Sequence, residues 1–227
     1  MRKTILLMII FAAAAAILYS CGSPKAADQK KGAAREEGHK GPKMYTIVID
    51  PGHGGRDKGA TGASGAYEKD FTLQLSKKLM KLLEKEELIE AYMTRSDDSF
   101  ISSVDRERVK IAIDKGADLL LSIHGNTYTD AKVSGTETYY FTEQSRTLAE
   151  VIHKHAVKAT GFRDRGVKVE DFFIIKDAPM PSVLLELGYL TNPQNEAQLL
   201  KEEVQNEIAK AIVTGLKEYM QAARSNS

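Results

Sequence analysis

The stretch YTIVIDPGHGG, residues 45–55, changes character halfway along. Residues 45–50 read as a strand, and the IVI run has the continuous apolar character of one covered on both faces. Pro51 then has no N–H to give a ladder, and Gly52, Gly54 and Gly55 have no side chains to pack. A single imidazole, His53, stands among them. A core strand that runs out into a glycine-rich turn with one reactive side chain predicts an α/β domain. In open α/β sheets, sites form where the carboxyl ends of strands meet.

The pattern downstream agrees. Phe71, Leu75, Leu79, Leu82 and Leu83 mark one face of a helix, and LIEAYMT reads as a second strand. Val104, Arg108, Ile111 and Lys115 share one face of the next helix, with Val109, Ile111 and Ala112 expected to turn inward. ADLLLSIH is a third strand, and GTETYYF alternates more and is expected toward an edge. Residues 145–160 read as a helix, FFIIK as a short strand and SVLLELGYL as another buried one. Val204, Ile208, Ile212 and Leu216 give a closing amphipathic helix. The predicted fold class is α/β: a twisted, largely parallel sheet of about six strands with helices on both faces, in one domain over residues 44–227.

Composition narrows the function. The chain has 227 residues, 42% hydrophobic and 28% charged, enough for one core but not for two comfortable domains. With Arg2 and Lys3 removed from 32 basic residues against 31 acidic, the mature chain lies within one charge of neutral. Nothing in that balance suits a nucleic acid. Tryptophan is absent, which argues against indole platforms for sugars.

Residues 5–18 form an apolar run behind Arg2 and Lys3, shorter than the roughly 18 residues a membrane span needs. Residues 1–20 are therefore expected to be an export signal. The run ends in LYSCG, which resembles the lipobox of bacterial lipoproteins. Cys21, the only cysteine, would be acylated, and Gly22 resembles sorting to the outer membrane; plain secretion is the alternative. Residues 22–43 are polar and small, a tether with an average reach on the order of 25 Å. His39 in it is read as solvated. The expected location is periplasmic, anchored to a membrane by lipid.

Three residues fall at strand ends: His53, His124 after LLLSI, and Glu186 after VLL; a fourth, Glu68, sits where the glycine-rich loop turns into a helix. Two imidazoles and a carboxylate make a complete catalytic zinc set with one position left for water. A second glutamate nearby is the expected base. Competing readings are weaker. GHGGRDKGATG lacks the GK[ST] ending of a phosphate loop, and a charged carboxylate within VLLEL is costly unless paired or functional. His153 and His155, two apart on a helix, point to different faces and are predicted at the surface.

DPGHGGRDKGA, GAYEKD, SIHGN and MPSVLLELGYLTN, in that order from about Thr46 to Tyr219, resemble the zinc-dependent N-acetylmuramoyl-L-alanine amidases of the amidase-3 type. The resemblance implies one zinc ion held by His53, Glu68 and His124, with Glu186 catalytic. It implies peptidoglycan as substrate, cut between N-acetylmuramic acid and L-alanine. Thr94, Arg95 and Arg108 also fit the family pattern, whereas Gly125 and Ile113 replace a common alanine and asparagine. Asn126 is a candidate substrate hydrogen-bonder, and Arg165 and Lys168 could meet stem-peptide carboxylates. Asp50 could orient a zinc-bound imidazole. Partner-activated relatives carry a helical plug after the YYF-like strand. YYFTEQSRTLAEV leaves no room for one, so no obligatory activator is expected. The alternatives are a zinc hydrolase of another peptidoglycan bond and a non-catalytic wall-binding lipoprotein.

Overall fold

The computed structural model describes residues 44–102 and 104–225; the export signal, Cys21 and the tether fall outside the described residues. Strand β1 (Tyr45–Pro51) leads through a long loop to helix α1 (Glu68–Leu83), then β2 (Ile89–Met93) and α2 (Glu107–Asp114). β3 (Leu119–Asn126) and β4 (Thr136–Tyr140) follow, then α3 (Glu143–Thr160), β5 (Asp164–Val169) and the single turn α4 (Phe173–Lys176). β6 (Ser182–Tyr189), α5 (Pro193–Leu199) and α6 (Glu202–Ser225) complete the order. The sheet order is β2-β1-β3-β6-β4-β5. The first four in that order are mutually parallel, β4 is antiparallel to β6, and β5 is parallel to β4.

Alternation decides which face each residue serves. Ile47, Ile49, Leu121, Ile123, Leu185 and Leu187 are fully buried against Phe71, Leu75 and Leu79 of α1, Ile152 of α3 and Ile212 of α6. Each such side chain contributes on the order of 1.5–3 kcal/mol of transfer free energy. The opposite face carries a smaller cluster, in which Val48, Leu120 and Leu184 pack under Val109, Ala112, Ile174 and Ile175. Further along that face the strands carry polar residues, and there the site lies.

Three expectations need correction. FFIIK is not a strand but contributes α4: Ile174 and Ile175 are adjacent and both buried in one cluster, as a helical turn allows and a strand does not. β4 lies toward the edge as expected, one strand in from β5, whose charged DRGVKV sequence, typical of an edge strand, conceals it. Helix α2 begins at Glu107, so Val104 lies outside it and is exposed. His153 is buried, between Thr138 on β4 (3.0 Å) and Asp164 on β5 (2.8 Å), partners that satisfy both ring nitrogens. His155 is partly exposed and meets Glu218 of α6 at 2.7 Å.

Candidate metal centre

The loop after β1 is held by two buried arginines. Arg95 donates to the carbonyls of Pro51, Gly52 and Lys69, and Arg108 to those of Pro51 and His53. Arg108 also pairs with Asp50 at 2.6 Å, and the hydroxyls of Thr94 and Ser122 donate to the same carboxylate. Burial alone would raise the Asp50 pKa, but Arg108 and these hydroxyls hold it below the usual carboxylate range. Farther along the loop, Glu196 of α5 accepts from both the backbone N–H and the hydroxyl of Ser64. The chain is thus fixed on both sides of His53, which itself adopts a left-handed backbone (φ 61°). Such a conformation costs a non-glycine residue about 1–3 kcal/mol and persists only when its surroundings impose it.

These constraints bring three predicted residues together. Glu68, the first residue of α1, places Oε2 3.1 Å from His53 Nε2 and Oε1 2.9 Å from His124 Nδ1. Its oxygens also accept from the backbone N–H groups of Ala60 and Gly125. Ligand atoms of His53, Glu68 and His124 all lie within 4.8 Å of one another. Two glycines make this approach possible. A Cβ at Gly52 would stand 2.3 Å from the His124 ring, and one at Gly59 would stand 2.5 Å from Glu68 Oε2. Burial raises the Glu68 pKa, but hydrogen bonds from the two imidazoles outweigh it and lower the value. Burial lowers that of His53, yet Glu68 and Asp57 bring it above the usual histidine value.

Glu186 lies opposite His124 in the β3–β6 register. Its Oε2 is buried and hydrogen-bonds to nothing among the described residues. Burial, and then the negative charges of Glu68 and Glu137, push its pKa well above the usual carboxylate value. Two ring nitrogens and one carboxylate, beside a second carboxyl with an unpartnered oxygen, form a donor set that can hold a divalent cation. A cleft of about 190 Å³ is lined by His53, Asp57 and His124 together with Phe172, Phe173 and Leu184.

The remaining predicted residues divide. Asp50 orients no imidazole, because its oxygens are taken by Arg108, Thr94 and Ser122. The carboxylate on His53 is Asp57, whose Oδ2 is 2.9 Å from Nδ1. Arg165 and Lys168 both engage Glu137, a buried carboxylate on β4 directly opposite Glu186. Asn126 ends β3 two residues beyond His124, with its side-chain oxygen accepting from the N–H of Thr127. Asp57 and Glu137 are the residues sequence reasoning missed. Asp57 stands four residues after His53 in the same glycine-rich loop, and the alternation in TETYY puts Glu137 and Tyr139 on one face; these spacings mark where the two residues lie but not what they meet.

Comparison with known proteins defines the class. Residues 47–218 match the family described as N-acetylmuramoyl-L-alanine amidase, and the chain belongs to that family. "Uncharacterized protein YqiI" of Bacillus subtilis is 46% identical over 178 residues, covering 77% of this chain and 84% of that protein. "Probable cell wall amidase LytH" of Staphylococcus epidermidis is 37% identical over 179 residues, covering 78% of this chain but 59% of LytH. The solved catalytic domain of CwlV, an N-acetylmuramoyl-L-alanine amidase from Bacillus (Paenibacillus) polymyxa var. colistinus, superposes with a TM-score of 0.76 at 42% identity. That match covers 78% of this chain and 99% of the CwlV domain.

Proposed function

We propose that this chain is a zinc-dependent peptidoglycan amidase that cleaves the amide between N-acetylmuramic acid and L-alanine. The observation that carries the reading is the convergence of His53, Glu68 and His124 on one point beside the unpartnered carboxyl oxygen of Glu186. Family membership supports the bond assigned. One zinc ion, held by those three side chains, would supply Lewis acidity toward the scissile carbonyl and toward water.

The protein's own part is proton handling and placement. Glu186 accepts the proton of the attacking water and delivers it to the departing L-alanine nitrogen. Its desolvated position favours holding that proton between the two steps. Asp57 keeps the His53 ring turned with Nε2 toward Glu68. Phe172 and Phe173, half exposed beside the cleft, offer an apolar wall to the substrate. Only Phe141 and Thr142 separate β4 from α3, so no plug stands at that connection, and the domain is proposed to act without an activating partner. Export, acylation at Cys21 and a periplasmic, lipid-anchored location belong to the same reading.

Metal content and product mass on purified sacculi test it together. Wild type should bind one zinc and release free stem peptides, and Glu186→Gln should keep the zinc while losing turnover. Products cut at another bond would favour the alternative zinc hydrolase, and binding without products the non-catalytic wall binder. Wild-type rates in Glu186→Gln would remove the assigned base.

A further inference from the structure

Beyond the metal centre, one polar assembly on the same face of the sheet takes no part in the mechanism above. Glu137, 1% exposed, lies on β4 opposite Glu186 and receives four donors: the hydroxyls of Tyr139 and Tyr189, Lys168 Nζ and Arg165 Nε. Lys168 approaches at 2.9 Å and Tyr189 at 2.6 Å. Two cations therefore share one carboxylate, and the assembly keeps a net positive charge.

Arg165 is held in a particular way. Its stem lies so close over Gly135 that a Cβ there would stand 2.5 Å from Arg165 Cδ, and its guanidinium lies over the Tyr189 ring at 5.4 Å. Glu137 engages Nε alone. The two terminal nitrogens, the edge that grips a carboxylate with two parallel hydrogen bonds, bond to nothing among the described residues, and the side chain is 29% exposed. An arginine fixed at stem, ring and Nε has already given up much of its rotamer freedom, so binding through the free edge costs less.

We propose that Arg165 is a carboxylate clamp that selects the peptide part of the substrate, with Glu137 as its positioning residue. Lys168 serves to balance Glu137. Glu137 lies two strand spacings from His124, about 10 Å. An extended peptide at about 3.4 Å per residue crosses that span in about three residues. The clamp therefore reads a free carboxylate within the first three residues after the cut. The identity of that peptide rests on the amidase reading; the clamp itself does not.

The test uses the purified zinc-loaded chain, a stem tripeptide with its free carboxylates, and the same tripeptide with every carboxylate converted to carboxamide. Calorimetry should show wild type binding the carboxylate form roughly 10- to 100-fold more tightly, the range expected for hydrogen bonds to a charged group. Arg165→Lys, which keeps a cation beside Glu137 but has no free fork, should bind the two forms within about threefold of each other. Equal binding of both forms by wild type would overturn the clamp. So would a preference that survives Arg165→Lys, since the carboxylate would then sit on the metal. A chain that prefers the carboxylate form yet frees no stem peptide from sacculi keeps the clamp and loses the amidase reading. One that cuts sacculi but binds both tripeptides alike loses the clamp alone.

Discussion

Replacing Asp57 should weaken metal binding while leaving the fold in place. Its Oδ2 lies 2.9 Å from His53 Nδ1, and its Oδ1 accepts from the backbone N–H of Gly59 at 3.1 Å. The His53 ring is tied at Nδ1 by this contact and at Nε2 by Glu68, so with Nε2 given to a cation Asp57 is the tie that remains. Partners of this kind are worth roughly 10- to 100-fold in metal affinity. The Asp57 side chain is 41% exposed, so solvent screening places the effect at the lower end. Asp57→Ala should therefore cost about tenfold, or ~1.4 kcal/mol. Asp57→Asn keeps a neutral acceptor, about half as strong as the charged one, and should cost about threefold. Competition against a chromogenic chelator at pH 7 reads both values, and thermal unfolding of the metal-free variants checks that the fold is intact. An Asp57→Ala affinity within twofold of wild type, with the fold unchanged, would refute the role assigned to this contact.

Gly59→Ala should abolish measurable metal binding, because the new Cβ would meet Glu68 Oε2 at 2.5 Å and His53 Cδ2 at 2.6 Å in a left-handed backbone (φ 64°); chelator competition reads the loss. Arg108→Leu should destabilise the domain by about 3–5 kcal/mol in urea titration by leaving Asp50 buried and unpaired, and adding Asp50→Asn should recover part of that. Glu137 carries a pH signature. Burial raises its pKa, but the tyrosines, Lys168 and Arg165 bring it from the usual 4.5 to about 2. Its folded value is depressed, so its contribution to stability is complete above about pH 4.5 and disappears as pH falls toward 2. Glu137→Gln should flatten the decline in stability across that window, as followed by circular dichroism.

Much of the fold could be read because the central strands are apolar on both faces. The IVI run of β1, the LLL of β3 and the VLL of β6 are surrounded by helices and advertise it. The edge was harder. β5 is a strand because β4 pairs with it, not because DRGVKV prefers to be one, and its outward charges protect an open edge. His153 shows the same limit at a single residue: helical spacing put it on a face, but only the partners Thr138 and Asp164, from two strands, decide that this face is buried. At the site, His53 and Glu186 stood out because an imidazole among glycines, or a charged side chain in an apolar strand, needs a reason, and His124 because it ends a buried strand. The partner of each required coordinates. Asp50 and Asp57 both flank His53, and nothing in DPGHGGRD distinguishes the one that meets Arg108 from the one that meets the ring.

The direction of β4 accounts for the width of the polar face. Between Asn126 at the end of β3 and Thr136 at the start of β4 the chain has nine residues and no helix. A parallel return would need a crossover of a dozen or more residues, so the chain must turn back at the end where it stands. β4 consequently begins where β3 and β6 finish, and Glu137 is set opposite Glu186. β5 runs parallel to β4 after α3, so its own start, with Arg165, returns to that same end. A uniformly parallel sheet would have offered only its carboxyl termini there, namely His53, His124 and Glu186. Reversing two strands adds the amino-terminal residues of β4 and β5, and with them the charged assembly that extends the face some 10 Å beyond the metal centre. The clamp proposed at Arg165 stands on that extension, and the extension follows from one short loop.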